Sequence, residues 1–232
     1  MTTIKQAQTV ARKFLGRNPD AVMVQRHIVL KPVGHILRAI HLKRTIDKAS
    51  FDPDWGVTYM FAPRRNGGIG WDEFIQRRTR HSWRIDEPGL DEELAERIEE
   101  VALPILRSIT SIQDFMDLTA SGRPLFPHWA AIPARRLLFE AALGDLEGAR
   151  RTCCLLWHPK LMPRNAPSGD DLLDVPQKLG PLLAEDDRAG IARQLTAWER
   201  QSAQSFKIEK YWQPSPFPIE LQTSGTTPAP GA

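Results

Sequence analysis

The densest concentration of groups able to hold a ligand lies in residues 64–84. There Arg64, Arg65, Arg77, Arg78, Arg80 and Arg84 are interleaved with Trp71, Phe74, His81 and Trp83. Guanidinium forks pair with phosphates and carboxylates, and aromatic faces stack on bases, so the mixture suits single-stranded nucleic acid. Arg and Trp are equally the residues that anchor protein interfaces. A third reading is architectural: the arginines face the acids of residues 86–100, and the tryptophans fill the core. The binding candidates on this segment are Trp71, Arg77, Arg78, Arg80, His81 and Trp83.

Other chemistry finds less support. Gly68-Ile69-Gly70 starts like a dinucleotide fingerprint, but Glu73 stands where the third glycine belongs, and two carboxylates there would repel a pyrophosphate. No Gly-Lys-Ser/Thr phosphate loop occurs, and no cofactor is expected. The six histidines make no paired helical spacing of the His-Glu-x-x-His kind. His35 and His41 share strand parity, yet six residues put them roughly 20 Å apart, too far to share an ion. His27 could approach one of them across a hairpin, but a satisfied sheet histidine is the expectation, and no metal site is assigned. Asp52-Pro53-Asp54 has the form of a cation-holding Asp-x-Asp, but its proline and the following Trp55-Gly56 fit a turn. No Gly-x-Ser-x-Gly elbow or Cys/His signature of nucleophilic catalysis is present. No catalytic residue is assigned, which leans away from an enzyme. Cys153 and Cys154 are neighbours; Cys153 shares a helical face with Leu146, Ala149 and Leu156 and reads as core. Adjacent cysteines cannot bridge without strain, so a reducing compartment is expected.

The elements that must position these groups fall into two styles. Ile4, Ala7, Val10, Ala11 and Phe14 keep helical spacing, and Asn18-Pro19-Asp20 ends that helix. Residues 22–30 and 36–44 read as strands around a Lys31-Pro32-Val33-Gly34 turn, and residues 55–61 as a third. Residues 62–70 are a Gly-rich loop with an Asn66-Gly67 hairpin signal, and residues 80–85 a further strand. Asp91, Glu92 and Glu93 open a helix with negative charge in its first turn, which Pro104 ends or kinks. Ser111 and Asp114 form a capping box for the next.

Beyond a Pro/Gly connector at residues 121–127 the chain is helical. Residues 137–157, with Ala-Leu-Gly-Asp-Leu-Glu-Gly-Ala at 142–149, resemble one tetratricopeptide-type helical hairpin, but no second copy follows at the 34-residue period an array needs. Residues 158–169 are a Pro-rich linker, and two helices follow within 170–206. The prediction is an α+β fold. An N-terminal antiparallel sheet of three or four strands is packed by helices (residues 1–120), a mostly helical C-terminal region follows (121–212), and the tail (213–232) is disordered.

Charge divides the same way. Residues 1–84 carry 16 Lys/Arg against 6 Asp/Glu, and residues 85–232 carry 15 against 22. A basic front can attract nucleic acid or an acidic protein, and equally the chain's own acids. No run of apolar residues approaches the roughly 20 that span a bilayer, and the first 16 residues lack a signal-peptide apolar block. A cytoplasmic protein without membrane contact is expected. Three functions stay open: a non-catalytic interaction protein with a protein partner, a nucleic-acid-binding accessory protein using residues 64–84, and an enzyme of unrecognised class with a site between sheet and helices.

Overall fold

The computed structural model describes residues 3–64, 68–79, 81–122, 128–157, 172 and 174–222. They form an antiparallel sheet in the N-terminal half and helices after it, an α+β arrangement. Contacts group the chain into two units: residues 1–59, 69–127 and 210–213 in the first, and residues 60–68, 128–209 and 214–232 in the second.

The first unit opens with α1 (Ile4–Arg17). Thr3 caps it through a reciprocal capping box with Gln6, and Ala7, Val10, Ala11 and Phe14 form its buried stripe. A meander follows: β1 (Ala21–Val24), β2 (His27–Leu30), β3 (Ile36–Arg44), β4 (Ser50–Tyr59) and β5 (Trp71–Phe74), with β6 (Trp83–Arg84) returning to β4. Six strands thus stand where three or four were expected. Residues 22–30 are a hairpin rather than one strand, because Gln25 takes a left-handed conformation (φ 56°) that turns the chain. One sheet face carries Ile28, Ile40, Trp55, Val57, Tyr59 and Trp71, all buried. The Phe115 ring meets Trp71 and Tyr59 edge-on at 4.9 and 6.1 Å between centroids.

Asp52-Pro53-Asp54 lies inside β4 and not in a turn, which corrects the sequence expectation. A proline in a central strand lacks one ladder donor, and the fold absorbs that loss. Ile75 donates its N–H to the Pro53 carbonyl at 2.8 Å. The Ile75 carbonyl, which a Pro53 N–H would have served, instead accepts from Trp83 Nε1 at 2.8 Å. The chain leaves the sheet edge after Ile75 and rejoins it at Trp83, which pairs with Phe51. That indole therefore closes the neck of an excursion spanning residues 76–82. Trp83→Phe keeps the ring but orphans a buried carbonyl, so we expect a loss of about 1 to 2 kcal/mol of stability in chemical denaturation.

The helices of this unit are α2 (Leu90–Arg97), α3 (Leu103–Ser108) and α4 (Ile112–Ala120), the last capped by Ser111 with Asp114 as anticipated. α2 packs along α1. Between α2 and α3 one turn widens to π geometry at Ile98–Ala102, with Leu103 donating to the Ile98 carbonyl. Pro104 has no N–H for the Glu100 carbonyl, and the wide turn accommodates that gap.

In the second unit α5 (Pro133–Leu143) and α6 (Leu146–Leu156) form the expected helical hairpin. Gly144 (φ 81°) stops the first helix, and the Asp145 carboxylate accepts from the Gly148 N–H at 2.9 Å to cap the second. α7 (Asp174–Ala184) and α8 (Arg188–Phe206) follow. Order extends past Gln213 into α9 (Pro218–Leu221), whose flanking Phe217 and own Ile219 are fully buried. The Asn66-Gly67 turn, the 158–169 linker and residues 223–232 lie outside the described residues.

Candidate functional site

The excursion at residues 76–82 is held from below by charge. Arg77 sends Nε and Nη2 to the Glu93 carboxylate at 3.1 and 2.6 Å, and Nη1 to Glu87 at 2.5 Å and to the Ser82 carbonyl at 3.1 Å. Its guanidinium also lies 5.4 Å from the Trp83 ring centroid. Only 10% of the side chain is exposed. These bonds raise the Arg77 pKa, with Glu93 the main cause, so the cation is permanent. Arg78 is different: it reaches Glu96 and Glu100 at 3.2 Å each, with 58% of its side chain in solvent.

The six sequence candidates therefore separate. Trp71 and Trp83 are core residues at 1% and 3% exposure, and Arg77 is a clamp. Arg78 and His81 face solvent, and Arg80 lies outside the described residues. A base-stacking surface needs exposed rings, and neither Trp71 nor Trp83 offers one. Arg64 belongs to the second unit, where it is 1% exposed, donates to the Gly68 carbonyl at 2.9 Å and lies over Phe206.

Two confluent grooves flank the excursion, of about 780 and 610 Å³, sharing Asp52, His81 and Ser82. The first runs under the β3–β4 hairpin tip and takes in Arg44, Ile46 and Arg84; the second takes in Phe74 and Gln76. Ile46 is fully exposed and Phe74 53% exposed. Asp47 builds the hairpin tip: its carboxylate accepts from the Ala49 N–H at 2.9 Å, Ser50 Oγ at 2.8 Å and Arg84 at 3.1 Å. Sequence reading missed Ile46 because it placed the turn at Asp52-Pro53-Asp54, whereas the chain turns between Arg44 and Ser50; Phe74 was named only as one aromatic of the 64–84 segment.

The other sheet face carries a polar row. His27, His41, Asp54 and Phe74 are register partners in succession across β2, β3, β4 and β5. The two imidazoles stack with centroids 4.3 Å apart. Burial pushes both pKa values down to about 4, so both rings are neutral near pH 7. Asp54 is 1% exposed, and burial raises it to about 6 against the opposing pull of the Lys43 ammonium that touches it. Lys43 also binds Asp72 at 2.8 Å and lies 5.6 Å from the Phe74 centroid. Stacked rings do not converge their nitrogens on a point, and among the described residues no three His, Cys, Asp or Glu side chains could hold a metal ion.

In the second unit a smaller apolar groove of about 450 Å³ lies between α6 and α7, lined by Cys153, Trp157, Gly180, Pro181 and Leu183. Cys153 is 5% exposed with its thiol pKa raised by burial, as a core residue, and Cys154 is a free exposed thiol. No described helix is long and apolar enough to cross a membrane. The chain matches no family model, no curated protein and no solved structure.

Proposed function

We propose that the chain is a non-catalytic interaction protein that receives a protein partner at the hairpin end of the first unit's sheet. One observation carries the reading: the exposed Ile46 and Phe74 flank two confluent polar grooves that share Asp52, His81 and Ser82. Interfaces combine an apolar anchor with a polar rim rich in arginine, and Arg44 and Arg84 supply that rim. The clamp by Arg77 and Trp83 holds one wall of the grooves rigid, which lowers the ordering cost of binding. Two unbridged cysteines fit a cytoplasmic setting.

Affinity capture from cells with the wild type and with Ile46→Asp/Phe74→Asp tests the reading. A partner held by the wild type and by Leu155→Asp, but lost from the double variant, is the expected result. Partners retained equally by all three proteins would exclude this surface. Nucleic-acid binding remains the second reading because Arg78 and His81 are solvent-facing. It predicts capture of single-stranded nucleic acid that weakens steeply with salt and is lost in Arg78→Ala.

A further inference from the structure

The basic residues at this end of the sheet differ in what neutralises them. Arg77, Arg78 and Arg84 each hold at least one carboxylate. Arg26, Arg44 and Lys48 hold none among the described residues. Asp47, the acid between Arg44 and Lys48 in sequence, is turned to Ala49, Ser50 and Arg84 instead.

Arg26 is the unusual member. It is 8% exposed, and its Nε and Nη2 are buried without a hydrogen-bond partner. Its one bond is a long one, Nη1 to the Leu42 carbonyl at 3.4 Å. The pairing of His27 with His41 sets Arg26 opposite Leu42, and Arg44 lies two residues further along the same face of β3. Diagonal cross-strand neighbours at that offset are within reach of long side chains. Burial and then the Arg44 charge both lower the Arg26 pKa. A buried guanidinium beside a second cation, with no counter-charge, destabilises a fold. Residues that lower stability in the free protein are often those that contact a ligand.

We propose that Arg26 and Arg44 form an oxyanion-receiving site at the edge of the docking surface, where Arg44 lines the first groove and Arg26 stands behind it on β2's side, and that the partner presents an acidic polypeptide segment to it. This rests on the protein-docking reading above. A carboxylate between the two guanidiniums would remove their mutual repulsion and supply Arg26 with its missing acceptor, a charge-assisted bond of the stronger kind. Lys48 extends the positive field along the hairpin tip, and Ile46, fully exposed between them, meets an apolar side chain next to the acid. The charge complementarity favours an acidic over a neutral or basic segment.

The probe is a glutamate-rich peptide carrying one leucine, titrated into the full chain, with inorganic phosphate and single-stranded DNA titrated separately. Peptide binding that weakens at least roughly tenfold in Arg44→Glu and in Ile46→Asp is the expected outcome. Arg26→Met gives a second readout: its denaturation midpoint should rise while peptide affinity falls, whereas an arginine with a purely structural role would lower the midpoint. No peptide binding, binding of phosphate or DNA in its place, or equal affinity in Arg44→Glu would each overturn the proposal. Should a cellular partner depend on Ile46 and Phe74 yet remain bound to Arg44→Glu, the docking surface would stand and the acidic segment would fall.

Discussion

Arg77→Ala is expected to lower the unfolding free energy of the first unit by about 3 kcal/mol, while Arg78→Ala leaves the denaturation midpoint where it was. The two arginines are adjacent and both ion-paired, so a difference between them reports burial. Removing Arg77 leaves Glu93 and Glu87 partly buried without their shared cation, frees the Ser82 carbonyl and strips the Trp83 ring of its covering guanidinium. Breaking one side of a buried pair costs about 3 to 5 kcal/mol in full burial, and partial exposure of the two glutamates places this case at the lower end. Arg78 is 58% exposed, and solvent screens its pairs with Glu96 and Glu100. Equilibrium urea unfolding of both variants measures the difference. Equal losses would mean that the excursion is not clamped at Arg77.

Acid should weaken the sheet before it weakens the surface ion pairs. His27 and His41 titrate near 4 in the folded chain against 6.5 as free side chains. Between those values the unfolded chain binds protons that the folded one refuses, so stability falls as pH falls. Asp54 acts with the opposite sign. Its folded value near 6 lies above its ordinary 3.8, so the folded chain holds an extra proton in that window and gains stability as pH falls. Two histidines outweigh one aspartate, and we expect a net loss of about 2 to 3 kcal/mol between pH 7 and pH 5. Stopping at pH 5 avoids the carboxylates held below their ordinary range, such as Glu93 and Asp20, whose contributions disappear only in stronger acid. Unfolding curves at pH 7 and 5 for the wild type and His27→Gln/His41→Gln decide it. The double variant should lose the acid sensitivity and show the small opposite slope that Asp54 produces. A wild-type curve that is flat over this range would show that the stacked rings already exchange protons with solvent.

Much of the fold was readable because its signals are local. The capping box at Ser111 and Asp114, the helix stop at Gly144 and the apolar stripe of α1 each lie within one or two turns of chain. The strand errors have physical causes. Gln25 is not a residue type that announces a left-handed turn, so β1 and β2 merged into one strand. Pro53 carried turn chemistry, but its missing donor faces the one place where the neighbouring edge is interrupted and an indole takes over. At the site, the neutralisation of Arg77 and Arg78 by following acids was foreseeable from two opposed charge runs close in sequence. Arg26 and Arg44 were not, because eighteen residues and a strand register separate them and neither belongs to a cluster. Ile46 was likewise hidden, since exposure of a single apolar residue at a hairpin tip is decided by the turn beneath it.

The edge interruption has a consequence for how this fold tolerates change. Moving two residues along β4, from Pro53 to Phe51, advances the partner from Ile75 to Trp83, eight residues rather than two. The insert is thus six residues, a whole number of pleats, and Trp83 occupies the place that residue 77 would take in an uninterrupted strand. Its indole remains on the inner side for that reason alone. Lengthening or shortening the excursion by an even number of residues would keep the inside-outside phase of β6, whereas an odd change would expel Trp83 and draw Arg84 inward. The segment is in that sense a module whose length is quantised, while its sequence is tied down at the Arg77 clamp.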